Sequence, residues 1–164
     1  QEKYPDEVKA LIGLDWALPS SYENLKDNQA LLTLAYCSSK IGLLRYFPES
    51  FYIKNQTLIE SERKQYKLLA YKQLMSQAMF HESQTVKENA KKVTSSINPK
   101  IPTLLLVSNG EGTSFSQSEW QRYAERFASD QSNVQVVYMD APHDLYHYQS
   151  HEIVSQIEDF LKSN

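Results

Sequence analysis

The sequence IPTLLLVSNGEG at residues 101–112 decides the fold, because an apolar run opened by proline leads directly into a glycine-flanked acid, Glu111. A second apolar run, at residues 134–138, is followed five residues later by His143. Both runs have the composition of buried strands. Strand ends are rigid, and the loops after them keep side chains accessible, which an acid and a histidine need in order to act together. The pattern predicts the acid and the base of a hydrolase.

The order of the elements predicts an α/β fold with a parallel sheet. Residues 8–14 form a third, nearly continuous apolar run, which is typical of a parallel strand buried on both faces. Residues 22–93 carry helical patterns only, and further helices are predicted after the capping box Ser116-x-x-Glu119 and from about Ser150. We divide the chain into a core strand segment at 1–19, a helical segment at 20–98, and C-terminal core strands and helices at 99–164.

This arrangement resembles the C-terminal half of the α/β-hydrolase superfamily. In that superfamily a Pro-Thr-Leu strand precedes an acid, and a histidine follows the last strand; counted from Pro102, these positions are Glu111 and His143. Residues 3–19 resemble the helix end and the strand that follow the nucleophile, particularly in members from Gram-positive bacteria. The resemblance implies that residues 20–98 form an all-helical cap over an active site.

The resemblance also implies that the nucleophile lies outside these residues. The sequence contains no Gly-x-Ser-x-Gly elbow, which in the superfamily would come just before Gln1. We therefore expect a C-terminal fragment of a serine-type hydrolase that acts on an ester or another small acyl substrate and is inactive alone. Some Gram-positive members carry a membrane anchor ahead of an extracellular hydrolase domain. The 164 residues contain no such anchor, so the location is left open between the cell exterior and the cytoplasm.

Three residues are candidates for the catalytic acid and base. A serine becomes a nucleophile when a neutral histidine accepts its proton, and a carboxylate must fix the tautomer of that histidine. His143 is the predicted base. Glu111 is the acid that the superfamily pattern indicates, although aspartate is more usual there and Ser108 replaces the usual glycine. Asp15 is the rival acid, because some α/β-hydrolases carry their acid after the preceding strand; its alternative role is to cap the turn before Trp16.

Two other functions are compatible with the sequence. One is a non-catalytic binding module that keeps the hydrolase fold without its nucleophile. The other is an α/β-hydrolase with an aspartate nucleophile, as in epoxide or haloalkane hydrolysis. The residue at the elbow distinguishes both of them from a serine-type hydrolase.

The histidines of the C-terminal segment also raise the question of a metal. His143, His147 and His151 recur every four residues, which on one helix would place them on one face. Pro142 and the predicted helix start near Ser150 argue against a shared helix, and no acid or cysteine completes a ligand set. We predict neither a metal nor a cofactor.

Composition limits the partners. A net charge of -3 gives no reason to expect nucleic acid, which requires a concentrated basic face. The single cysteine, Cys37, lies in an apolar helical pattern and is predicted to be a buried structural thiol. Three strands separated from a larger sheet would leave an unpaired apolar edge. We expect that edge to be covered by the missing N-terminal half of the same protein or by a second copy of this chain.

Overall fold

The computed structural model describes residues 4–23, 28–46, 58–94, 100–129 and 131–164. Its strands are β1 (Leu11–Leu14), β2 (Thr103–Val107) and β3 (Val134–Tyr138). Its α-helices are α1 (Pro19–Glu23), α2 (Gln29–Lys40), α3 (Glu60–Gln73), α4 (Gln77–Thr94), α5 (Gln117–Ser129), α6 (Leu145–Tyr148) and α7 (Ser150–Ser163), and short 3-10 helices lie at Pro5–Glu7 and Leu43–Tyr46. The chain divides into two compact units, Gln1–Asn24 with Asn89–Asn164 and Leu25–Glu88. The first unit carries the sheet, and the described residues of the second are helical.

The sheet is parallel, with the strand order β1-β2-β3. Thr103 of β2 pairs with Leu11 on one side and with Val134 on the other, so the three strands start at the same level. Every residue of β2 is buried, as expected for an apolar run at the centre of a parallel sheet. The predicted mixed α/β class with a parallel sheet is therefore confirmed.

Two apolar layers hold β2 in place, because alternate side chains of a strand point to opposite faces. Leu104 and Leu106 pack against one layer, formed by Met139, Ala141, Leu145, Ile153 and Phe160. Leu105 and Val107 pack against the other, formed by Leu18, Trp120, Tyr123 and Ala124. Full burial of a leucine side chain stabilises a fold by about 1.5–3 kcal/mol. The two layers therefore fix β2 and, with it, the start of the loop that follows.

Strand β1 differs from the prediction in length and in burial. It begins at Leu11 rather than at residue 8, and Ile12 and Leu14 are 38% and 44% exposed. Their partners across the sheet, Leu104 and Leu106, are fully buried. The prediction of a strand buried on both faces is wrong here, because β1 lies at the edge of the described sheet. Apolar composition alone does not distinguish an edge strand from a central one.

The helical unit corrects the expectation for Cys37. Cys37 is exposed rather than buried, since α2 has no fully buried side chain. Met75, with a φ of 50°, lies between α3 and α4 and separates the two helices. The sequence also carries a capping-box pattern, Thr57-x-x-Glu60, whose threonine lies outside the described residues; α3 begins at Glu60. Among the described residues, no helix is both long and apolar enough to cross a membrane.

Candidate active site

Asp15 lies immediately after β1, and its side chain is almost completely buried. Its backbone has a φ of 48°, which is uncommon outside glycine but is tolerated by aspartate. One carboxylate oxygen, Oδ1, accepts hydrogen bonds from the Ser108 backbone N–H at 2.7 Å and from the Trp120 indole N–H at 2.8 Å. The other, Oδ2, accepts the Ser108 hydroxyl at 2.6 Å. A charge buried at this position is stable only because these donors compensate for the lost water.

His143 completes the set of partners of Asp15. Its Nδ1 lies 2.5 Å from Asp15 Oδ2. Its backbone N–H donates to the carbonyl oxygen of Glu111 at 2.8 Å, which fixes the loop after β3 against the loop after β2. Gly112, with a φ of 91°, permits this contact, because a Cβ on that residue would lie 3.4 Å from the Cβ of His143. One backbone hydrogen bond and one side-chain hydrogen bond therefore define the position of the imidazole.

The hydrogen bond between the two side chains determines which histidine nitrogen can act as a base. An ionised carboxylate only accepts hydrogen bonds, so Nδ1 of His143 carries the proton that is shared with Asp15. In the neutral imidazole, Nε2 is then the nitrogen with a free lone pair. The His143 side chain is 42% exposed, whereas that of Asp15 is 1% exposed. The pair therefore combines a buried carboxylate with a partly exposed imidazole.

The pKa values of both groups are shifted in the directions that this pair requires. Burial opposes ionisation of Asp15, but hydrogen bonds from His143, Ser108 and Trp120 outweigh it and hold its pKa below the usual 3.8. The hydrogen bond to Asp15 raises the pKa of His143 above the usual 6.5 despite partial burial, and the negative charges of Asp15 and Asp144 add to this effect. Asp15 is therefore ionised at neutral pH and stabilises a proton on His143.

Glu111, the acid indicated by spacing, lies elsewhere. It is exposed, and the contact between this residue and His143 is made by its backbone carbonyl rather than by its carboxylate. Its own backbone N–H donates to the Asn109 side chain at 3.0 Å. Gly110 and Gly112 both have positive φ values and turn the loop here. The structure thus brings His143 together with Asp15 and not with the side chain of Glu111.

Two residues of the site were missed by sequence reasoning. Ser108 is fully buried and donates both its backbone N–H and its hydroxyl to Asp15, and that hydroxyl accepts the Gly110 N–H at 3.0 Å. The signal for it was the serine in place of the usual glycine. Trp120 lies on the helix that the sequence predicted after the capping box Ser116-x-x-Glu119, and it had no assigned role. Nothing in the sequence indicates that its indole N–H reaches Asp15, because the two residues are 105 positions apart.

The other two histidines of the series His143, His147 and His151 lie on separate helices. His147 belongs to α6 and His151 to α7, and Gln149 ends the first of these helices. Within the ranges that the structure describes, no three His, Cys, Asp or Glu side chains are grouped as metal ligands.

Comparison with known proteins gives one informative similarity. No family model matches the chain. The chain is 27% identical over 171 aligned positions to a protein of Bacillus subtilis (strain 168) named "Uncharacterized protein YbdG", an alignment that covers 98% of this chain and 53% of the relative. The chain therefore spans about half the length of the curated relative that it matches.

Proposed function

We propose that this chain contributes the acid and the base of a serine-type α/β-hydrolase that acts on an ester or another small acyl substrate. The single observation that carries the proposal is the hydrogen bond between Asp15 and His143, two groups that follow different strands of one parallel sheet. The acid is Asp15, at the end of the strand before β2, rather than Glu111. The fold that we propose is the C-terminal part of an α/β-hydrolase fold.

The reaction uses the two residues in turn. Nε2 of His143 accepts the proton of a serine hydroxyl as the serine oxygen attacks the substrate carbonyl, and Asp15 stabilises the resulting imidazolium. His143 then donates that proton to the leaving group as the carbonyl re-forms and the bond to the leaving group breaks. Water, activated in the same way, releases the acid product and restores the serine hydroxyl.

The serine and the oxyanion hole come from residues N-terminal to Gln1 in this proposal. Two observations support it. The B. subtilis relative is about twice as long as the matched region, which leaves room for a second half of comparable size. Ile12 and Leu14 are exposed on β1, as they would be if a neighbouring segment covered that edge. The helical unit, Leu25–Glu88, would be the cap of this hydrolase.

The test uses the longer protein that includes the residues before Gln1. We expect it to hydrolyse a short-chain p-nitrophenyl ester and to be labelled by a fluorophosphonate, which reacts with activated serines. His143→Ala should reduce kcat/KM by about 10³-fold or more, because the base is lost. The matched control is His151→Ala, since His151 is an exposed histidine on α7.

Three outcomes would contradict the proposal. Near-normal turnover in His143→Ala would remove His143 from the reaction. Absence of both turnover and labelling in the longer protein would favour a binding module. Turnover without fluorophosphonate labelling would favour an aspartate nucleophile. The 164-residue chain alone is expected to show no turnover.

A further inference from the structure

Trp120 contacts both members of the acid–base pair. Its indole N–H donates to Asp15 Oδ1 at 2.8 Å. Its ring lies 5.9 Å from the His143 ring, centroid to centroid, with the two planes 87° apart, which is a favourable edge-to-face arrangement. One buried side chain therefore restrains the acid through a hydrogen bond and the base through ring packing.

The position of Trp120 is itself closely defined. Helix α5 begins after a capping box in which the Ser116 N–H donates to Glu119 Oε2 at 3.0 Å, as the sequence predicted. Trp120 lies in the first turn of that helix and is 5% exposed. The Phe115 ring stacks on it at 5.7 Å. Gly110 allows the loop after β2 to lie close to α5, because a Cβ on Gly110 would be only 3.4 Å from the Cβ of Trp120.

The hydrogen-bond pattern at Asp15 explains what this placement achieves. Oδ1 accepts two N–H donors, from Ser108 and from Trp120, which leaves Oδ2 to accept the Ser108 hydroxyl and the imidazole N–H. A carboxylate has about four acceptor positions, so all of them are used. The carboxylate cannot rotate without breaking a charge-assisted bond, and Oδ2 stays directed at His143.

We propose that Trp120 is a positioning residue of this site, which holds Asp15 Oδ2 and the His143 ring in the arrangement that leaves Nε2 free to accept a proton. The inference rests on the proposed function for its catalytic consequence. Its structural content, the fixed tautomer of His143, applies to the chain by itself.

The first experiment measures the tautomer of His143 and does not depend on enzymatic activity. In the ¹⁵N-histidine-labelled 164-residue chain above the pKa of His143, the nitrogen chemical shifts should show the proton on Nδ1. Trp120→Phe keeps an aromatic ring but removes the donor, and it should move a measurable fraction of the proton to Nε2. Trp16→Phe is the matched control, because Trp16 is adjacent to Asp15 in the chain and 39% exposed; it should leave the tautomer unchanged. A tautomer population in Trp120→Phe equal to that of the unsubstituted chain would overturn the inference.

The second arm measures the consequence for activity in the longer protein. Trp120→Phe should lower kcat by about tenfold and leave KM unchanged, because a hydrogen bond to a charged group is lost but the substrate contacts are not. If Trp120→Phe does not fold, β-(3-benzothienyl)alanine at position 120 replaces the N–H by sulfur within the same ring shape. Normal kcat with either side chain would overturn the inference and leave the proposed function intact. The longer protein could instead be inactive while the histidine tautomer still depends on Trp120. That result would contradict the proposed function but not the structural inference.

Discussion

Asp15 shows why the carboxylate partner of His143 could not be identified by counting residues. Spacing from Pro102 indicates Glu111, but the choice of acid depends on which strand ends lie side by side. Asp15 follows β1, Ser108 follows β2 and His143 follows β3, so the three residues lie in a row along one edge of the sheet. Asp15 forms hydrogen bonds with both of the others, accepting from Ser108 and pairing with the His143 ring. The turn at Gly110 and Gly112 directs Glu111 to solvent instead.

His143 itself was predicted from its place after the last strand, and the structure puts it beside a carboxylate. The partner was one of two that the sequence left open. The donors from Ser108 and Trp120 could not be predicted, because side-chain hydrogen bonds across more than ninety positions leave no local pattern.

The pairing predicts the titration of His143. Its pKa should lie above 6.5 in the folded chain, and Asp15→Asn should lower it by removing the negative partner. A proton NMR titration of the imidazole measures both values, and Glu111→Gln is the control that should leave the titration unchanged. A pKa at or below 6.5, or the same pKa in Asp15→Asn, would contradict the pairing.

The same shifts set the pH dependence of stability. The pKa of His143 is raised in the folded chain. Its contribution to the free energy of unfolding is therefore fully present below pH 6.5 and is lost as the pH rises through the pKa of the folded state. The pKa of Asp15 is lowered in the folded chain. Its contribution to the free energy of unfolding is therefore present above pH 3.8 and is lost as the pH falls through the pKa of the folded state. The pair should therefore stabilise the fold most strongly between pH 3.8 and pH 6.5, the usual pKa values of the two groups.

At the scale of elements, the sequence predicted the central strand and the capped helix correctly. The apolar run of β2 is buried throughout, and the capping box of α5 is formed between Ser116 and Glu119. The prediction for the burial of β1 is wrong. Ile12 and Leu14 pair with Leu104 and Leu106, which are fully buried, yet they are themselves exposed. Which neighbour covers a strand is a property of the whole sheet and not of the strand.

The edge of β1 predicts self-association of the 164-residue chain. An exposed apolar strand with unpaired backbone groups is a template for pairing with another chain. Ile12→Lys should shift the chain toward the monomer, because a charge on that edge opposes pairing. Sedimentation equilibrium over a range of concentrations measures the change.

The matched control for this experiment is Val154→Lys. Val154 is an apolar residue of helix α7, not of β1, and it is 55% exposed. It should leave the association unchanged. A monomeric unsubstituted chain at all concentrations, or equal association in Ile12→Lys, would show that β1 is not the contact.

At the scale of the whole molecule, the sequence predicted the α/β class from element order alone, because parallel strands separated by helices have few other arrangements. The helical unit observed at Leu25–Glu88 lies within the segment predicted to be helical, and α1 belongs with the sheet. The chain matches about half the length of its B. subtilis relative. Asp15 and His143 are the acid and base that we propose for the active site.

The measurement that tests this claim most directly compares kcat/KM for an acyl ester in Asp15→Asn and Glu111→Gln of the longer protein, with equal folding verified by circular dichroism. We predict that Asp15→Asn lowers kcat/KM by about 10³ to 10⁴-fold, because an amide cannot stabilise the imidazolium or hold the tautomer. Glu111→Gln should retain the activity of the unsubstituted protein. Loss of activity in Glu111→Gln with retention in Asp15→Asn would contradict the account.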